Sequence, residues 1–266
     1  MLARLLAVVR RHPLVTFFGL AYAISWGSFL ILSGPFLFPF GPFLAAITVA
    51  SLTRGKAGLK DWLRRCLRWR VGLKWYAAAL AVPVAIGLAT VSLNILLGAQ
   101  VPTAAQLGPW YSLFLLFPIA LIDAPLGEDS GWRGYALPRF PAGRSRFANT
   151  IILGVLLAGW HLPLAVAGGA LATPFLIATF ASAVVTNWVY YNSRESALLA
   201  ILYHTAANTM GLYFRPMLSG PDLVQHYWLL AAVNCVVAIG LVIFDRKWLS
   251  HRPAVPTGVE AVPGIV

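Results

Sequence analysis

The sequence predicts an all-α fold: a polytopic membrane bundle of about eight transmembrane helices, with an amphipathic helix on its cytoplasmic side. Three observations carry that prediction. The first is composition, since 59% of the 266 residues are hydrophobic and only 11% charged, against roughly 45–50% and about 25% in soluble domains. The second is that the apolar residues gather into runs near twenty residues long, the length that crosses a hydrocarbon core about 30 Å thick. The third is charge: 20 basic and 8 acidic residues leave a net +12, and the basic residues cluster between alternate runs. A balance this basic raises the question of nucleic acid. Positive flanks on membrane spans account for it, and no nucleic-acid module is visible, so the expected partners are the lipid bilayer and no nucleic acid.

Taken in order, the chain begins MLARLLAVVRRHP and enters a first run from Leu14 to Leu32. That run lacks a convincing small-residue cleavage site and is read as a retained span, not a removed signal peptide. The second, Gly41 to Leu52, is short and leans on the neighbouring PFLFPF, so it reads as a crossing or a re-entrant segment. Residues 54–75 follow as RGKAGLKDWLRRCLRWRVGLKW. Here Leu59, Trp62, Leu63, Cys66 and Leu67 recur at helical spacing with Lys60, Arg64, Arg65 and Arg68 between them, which predicts an interfacial anchor lying on the cytoplasmic leaflet. The remaining runs are Trp75 to Leu97, Trp110 to Leu126, Thr150 to Ala167, Pro174 to Tyr191, Ala197 to Phe214 and Tyr227 to Phe244. Residues 253–266 are a Pro- and Gly-containing tail expected to be disordered. There is no internal repeat, so residues 1–252 read as one membrane-embedded domain whose motif core is 123–212. Cys66 and Cys235 have neither metal-ligand spacing nor the look of a disulfide framework.

Threading the runs alternately through a bilayer puts Arg4, Arg10, Arg11, the block from Arg54 to Lys74, Arg139, Arg144, Arg146, Arg194, Arg246, Lys247 and Arg252 on one face. Only Arg215 falls on the other. The asymmetry predicts an even number of spans with both termini cytoplasmic, in a multi-pass protein of a bacterial-type plasma membrane.

Ionisable groups at membrane depth cost about 2.5–3.5 kcal/mol each on insertion scales, so each needs a partner or a purpose. Four places stand out: Asp123 with the stretch GEDSGWR, His161, His204 with Asn208, and Asn187 with Trp188. His204 and Asn208 are four apart and share a helix face. Asp129 and Arg133 are also four apart, and their ion pair would leave Glu128 free. Should the helix unwind at Gly131, Arg133 would reach Glu128 instead. A lone His161 reads first as an interhelical hydrogen-bonder. Together, a carboxylate, two imidazoles and a carboxamide on three spans are the ingredients of a hydrolytic centre.

With these residues in view, the chain resembles the CPBP family of intramembrane proteases, whose eukaryotic relatives are the type II CAAX prenyl endopeptidases. The family's Glu-Glu pair followed by Arg in a Gly-Trp-Arg-Gly-Tyr context is matched by Glu128, Asp129, Arg133 and their neighbours through Tyr135, with Leu137 and Pro138 after them. Its Phe-x-x-x-His block is matched by Trp160, His161, Leu162 and Pro163, with Leu157 where Phe is expected. Its His-x-x-x-Asn block is His204 and Asn208. Asp129 for the second Glu keeps the charge on a shorter side chain, and Leu157 keeps an apolar packing role.

The resemblance implies peptide-bond hydrolysis within the membrane, near its cytoplasmic side, on a membrane-associated protein or peptide, with a lipidated CAAX-like terminus as one form of substrate. In that scheme Glu128 is the general base and His161 orients the water or shares the base role. His204 and Asn208 donate to the oxyanion, and Arg133 holds the acidic pair. A metal-independent mechanism without cofactor is preferred. The alternative is zinc held by Glu128, His161 and His204, although the local H-E-x-x-H pattern that makes zinc specific is missing. Two other classes stand beside the protease: a non-catalytic immunity or peptide-binding protein on the same fold, and a small transporter, which predicts a repeat the sequence does not show.

Overall fold

The computed structural model describes residues 2–31, 36–141 and 143–245, and every regular element among them is helical. The predicted tail, 253–266, lies outside the described residues. In chain order the helices are α1 (Leu2–Arg11), α2 (Pro13–Ile31), α3 (Gly41–Cys66), α4 (Leu73–Leu96), α5 (Ala104–Leu107), α6 (Ser112–Asp123) and α7 (Pro125–Gly131). After a π turn at Trp132–Ala136 come α8 (Arg146–Trp160), α9 (Leu162–Ala167), α10 (Ala172–Asn192), α11 (Ala197–Phe214) and α12 (Gly220–Phe244).

Three segments among the described residues are long and apolar enough to cross a membrane by themselves: Leu73–Leu96, Gly169–Asn192 and Gly220–Phe244. Their outward residues are large and apolar, such as Leu88 and Leu96 on α4 and Val236, Ile239 and Ile243 on α12, all exposed. A bilayer is the solvent that such a belt requires. This is a helical bundle of an integral membrane protein.

Two predicted spans break where proline enters. The run Trp110 to Leu126 is helical only to Asp123, because Pro125 disfavours helical backbone at the residue before it and Ala124 swings to φ −144°. A new helix, α7, starts at Pro125 and carries the acidic pair. The run Thr150 to Ala167 divides at His161, the cap shared by α8 and α9, with Pro163 in the first turn of the second piece. His161 therefore sits at a helix junction and not in mid-helix.

The expected amphipathic helix is present as part of a longer element. It continues from the second run as the distal arm of α3, turned at Gly55, whose φ of 55° suits glycine. Gly58, Trp62 and Cys66 on this arm are buried, while Leu63 and Leu67 are exposed. Half of the apolar face is thus covered by protein, because the arm docks on the π turn: a Cβ at Gly134 would stand 2.7 Å from Cys66 Sγ. The core lies beside this junction, in Phe17, Val49, Trp132, Tyr135, Leu153, Trp160, Val189, Leu199 and Tyr203.

Candidate active site

The first block begins on α7 and passes into the π turn. A wide turn of this kind re-aims the side chains around it and recurs at functional sites. Pro42 of α3 packs hard against the glycine that precedes it: a Cβ on Gly131 would fall 2.5 Å from Pro42 Cβ. The helix stays wound at Gly131, and the side chain of Arg133 folds back onto Asp129, not onto Glu128.

Asp129 is the hub. It is fully buried, with Oδ1 accepting from Arg133 Nη1 and Oδ2 lying 3.0 Å from His204 Nδ1. Arg133 is buried as well, and its Nε donates to Oδ1 of Asn187 at 2.9 Å. A chain of polar contacts thus runs Asn187, Arg133, Asp129, His204 across α10, the π turn, α7 and α11. A buried charge is tolerable only with such partners.

Glu128, next to the hub, is different. Its side chain is buried to 5% exposure yet accepts no hydrogen bond from the described residues. It lies within electrostatic reach of both His161 and His204.

Hydrogen bonds assign both imidazole tautomers. His161 Nδ1 faces the Leu157 carbonyl at 2.9 Å, and a carbonyl only accepts, so Nδ1 carries the proton and Nε2 is left for the site. His204 Nδ1 faces a carboxylate, which assigns it in the same way. Leu157, in the place of the expected Phe, is buried and holds the ring through its backbone. Trp160 and Phe175 flank the His161 ring edge-on, with centroids at 4.7 and 5.4 Å. Trp160 also meets Trp132 of the first block at 5.8 Å, so the two blocks share one aromatic wall. Trp26 Nε1 donates to the Trp160 carbonyl at 2.9 Å, satisfying an acceptor that the end of α8 leaves free.

Asn208 lies one turn beyond His204 on α11, half-buried, with no hydrogen-bond partner for its carboxamide among the described residues. Asp123 ends α6 as an exposed residue and is not among the hydrogen-bond or ion-pair partners of Asp129 and Arg133. Asn187, conspicuous in the sequence but given no role there, proves to be part of the hub.

Among the described residues, no three His, Cys, Asp or Glu side chains gather closely enough to hold a metal ion. Glu128, His161 and His204 carry the donor atoms that zinc takes, but they do not form such a group.

The arrangement supplies a carboxylate with no hydrogen-bond donor among the described residues, two oriented imidazoles within its electrostatic reach and, one turn beyond His204 on α11, a neutral carboxamide. These groups suit proton transfer to and from water and donation to a developing oxyanion. Comparison with known proteins agrees with the resemblance drawn from the three blocks. The family described as Type II CAAX prenyl endopeptidase Rce1-like matches residues 109–210, a stretch that holds all six candidate residues. CAAX prenyl protease 2 of Methanococcus maripaludis is 21% identical over 226 residues, covering 79% of this chain and 81% of that protein.

Proposed function

We propose that this chain, a relative of the CPBP proteases, is an intramembrane endopeptidase that hydrolyses a peptide bond of a membrane-associated protein or peptide. The name of the Methanococcus relative points to lipidated, CAAX-like termini as the substrate class. The observation that carries the reading is the division of labour in the acidic pair: Asp129 is consumed by Arg133 and His204, whereas Glu128 beside it has no donor among the described residues.

Glu128 takes a proton from a water that His161 Nε2 orients, and the water oxygen attacks the scissile carbonyl. The oxyanion is met by the Asn208 carboxamide and by Nε2–H of His204 in its protonated form. Collapse breaks the C–N bond, and Glu128 returns the proton to the leaving amine. Asp129, Arg133 and Asn187 position His204 and do not touch the reacting atoms. No cofactor enters this scheme. Residues 1–252 form one domain with about eight crossings, both termini cytoplasmic, in a bacterial-type plasma membrane, and the site opens toward the cytoplasmic face.

The test is cleavage of a library of lipidated C-terminal peptides by the purified protein in detergent, read by mass spectrometry with and without chelator. Cleavage that survives chelator and is lost in His204→Ala is the expected result. Loss with chelator and restoration by zinc would replace the glutamate scheme with a metal one. Binding without cleavage would move the chain to the non-catalytic class.

A further inference from the structure

One short segment grips both ends of the hub. From the distal arm of α3, Trp62 Nε1 donates to the Ser130 carbonyl at 2.7 Å, and Cys66 packs on Gly134, so the arm is fixed to the first block. The other side of the same segment holds the turn that launches α11. Arg65 Nη1 lies 3.3 Å from Glu195 Oε2, and Arg68 donates to the Arg194 carbonyl. Ser196 Oγ donates to the Arg68 carbonyl at 2.6 Å while accepting from Leu199 N as the N-cap of α11. Arg146 of α8 approaches Glu195 from a third direction, at 3.9 Å.

The turn is one that needs holding. Arg194 and Glu195 have φ of 59° and 57°, two consecutive L residues in the left-handed region where glycine would sit without strain. An exposed ion pair alone does little for stability. Here, however, the ion pairs and the Arg68 bond converge on the strained residues, the neighbouring Ser196 is tied to the Arg68 carbonyl, and His204 lies eight residues beyond Ser196, about 12 Å along α11 at 1.5 Å per residue. A tilt at the start of the helix reaches the His204–Asp129 contact.

We infer that segment 56–68 is a clamp that sets α11 against α7, with Arg65, Arg68 and Glu195 as positioning residues for His204. Only the activity arm of its test rests on the peptidase reading. Spin labels go at Leu126→Cys on α7 and Gly211→Cys on α11, both exposed positions, the second with nothing within 4 Å of an added Cβ. Cys235→Ser removes the more accessible native thiol, while Cys66 is buried.

The distance distribution between the labels is expected to be narrow in the otherwise native chain and to broaden in Arg65→Ala and in the near-isosteric Glu195→Gln. Adding Arg194→Gly, which relieves strain but keeps the carbonyl that Arg68 binds, should narrow it again in part. In the peptide assay, kcat should fall about ten- to a hundredfold with KM little changed, the signature of displaced catalytic groups. An unchanged distance distribution in both Arg65→Ala and Glu195→Gln overturns the clamp. If the native chain cuts no peptide, the peptidase reading fails, and the distances still decide the clamp.

Discussion

Nδ1 of His204 stands 3.0 Å from the Asp129 carboxylate, and the other Asp129 oxygen is occupied by Arg133. The acidic pair is therefore not two equivalent carboxylates. One is held by an arginine and an imidazole, and the other accepts no hydrogen bond from the described residues.

Asp129→Asn should damage both fold and function. It removes the carboxylate paired with the buried Arg133 guanidinium, and stranding a buried charge costs about 3–5 kcal/mol. Thermal unfolding in detergent should show that loss, and kcat should fall about 10²–10⁴-fold as His204 loses its orientation.

Asn187→Leu should act through Arg133. The substitution deletes the acceptor at 2.9 Å from Nε, leaving a buried donor unsatisfied at about 1–3 kcal/mol. A lower unfolding temperature and a fall in kcat with little change in KM are the expected readings.

Cys66 should resist alkylation in the folded protein. It is buried against the π turn, and burial pushes its thiol up to about 12, so little thiolate exists near neutrality. Mass spectrometry after N-ethylmaleimide at pH 8 should find Cys66 unmodified when native and modified once the chain is unfolded.

Asp61 should link stability to pH. Burial alone would raise its pKa, but the hydrogen bond from Arg64 and the charges of Arg65 and Arg139 outweigh that and lower it. A carboxyl depressed in the folded state adds stability above its unfolded pKa, and that contribution is lost as pH falls through the folded value. Asp61→Asn should therefore unfold more easily than the native chain at pH 7, with the difference shrinking below about pH 4.

What was legible in the sequence depended on how local the signal was. Helix α11 was readable along its whole length, since one apolar run coincides with one helix. Hydropathy joins Pro125 and Pro163 to the apolar runs around them, because it scores apolar content and ignores the constraint a proline puts on the backbone. The three blocks were visible as motifs, and helical spacing paired Asp129 with Arg133. Asn187 stood out as misplaced, yet its partner is 54 residues away and belongs to another helix. Likewise, periodicity grouped Trp62 with Cys66 but could not tell whether lipid or protein would cover them.

The central claim is that Glu128 is the free base. Replacing it by Gln keeps shape and removes no hydrogen bond with the described residues, so the fold should be unaffected. The decisive measurement is binding and cleavage of one lipidated C-terminal peptide by native protein and by Glu128→Gln, side by side in the same detergent. The account predicts equal binding and cleavage slowed about 10²–10⁴-fold in the variant. Cleavage by Glu128→Gln at the native rate would contradict it.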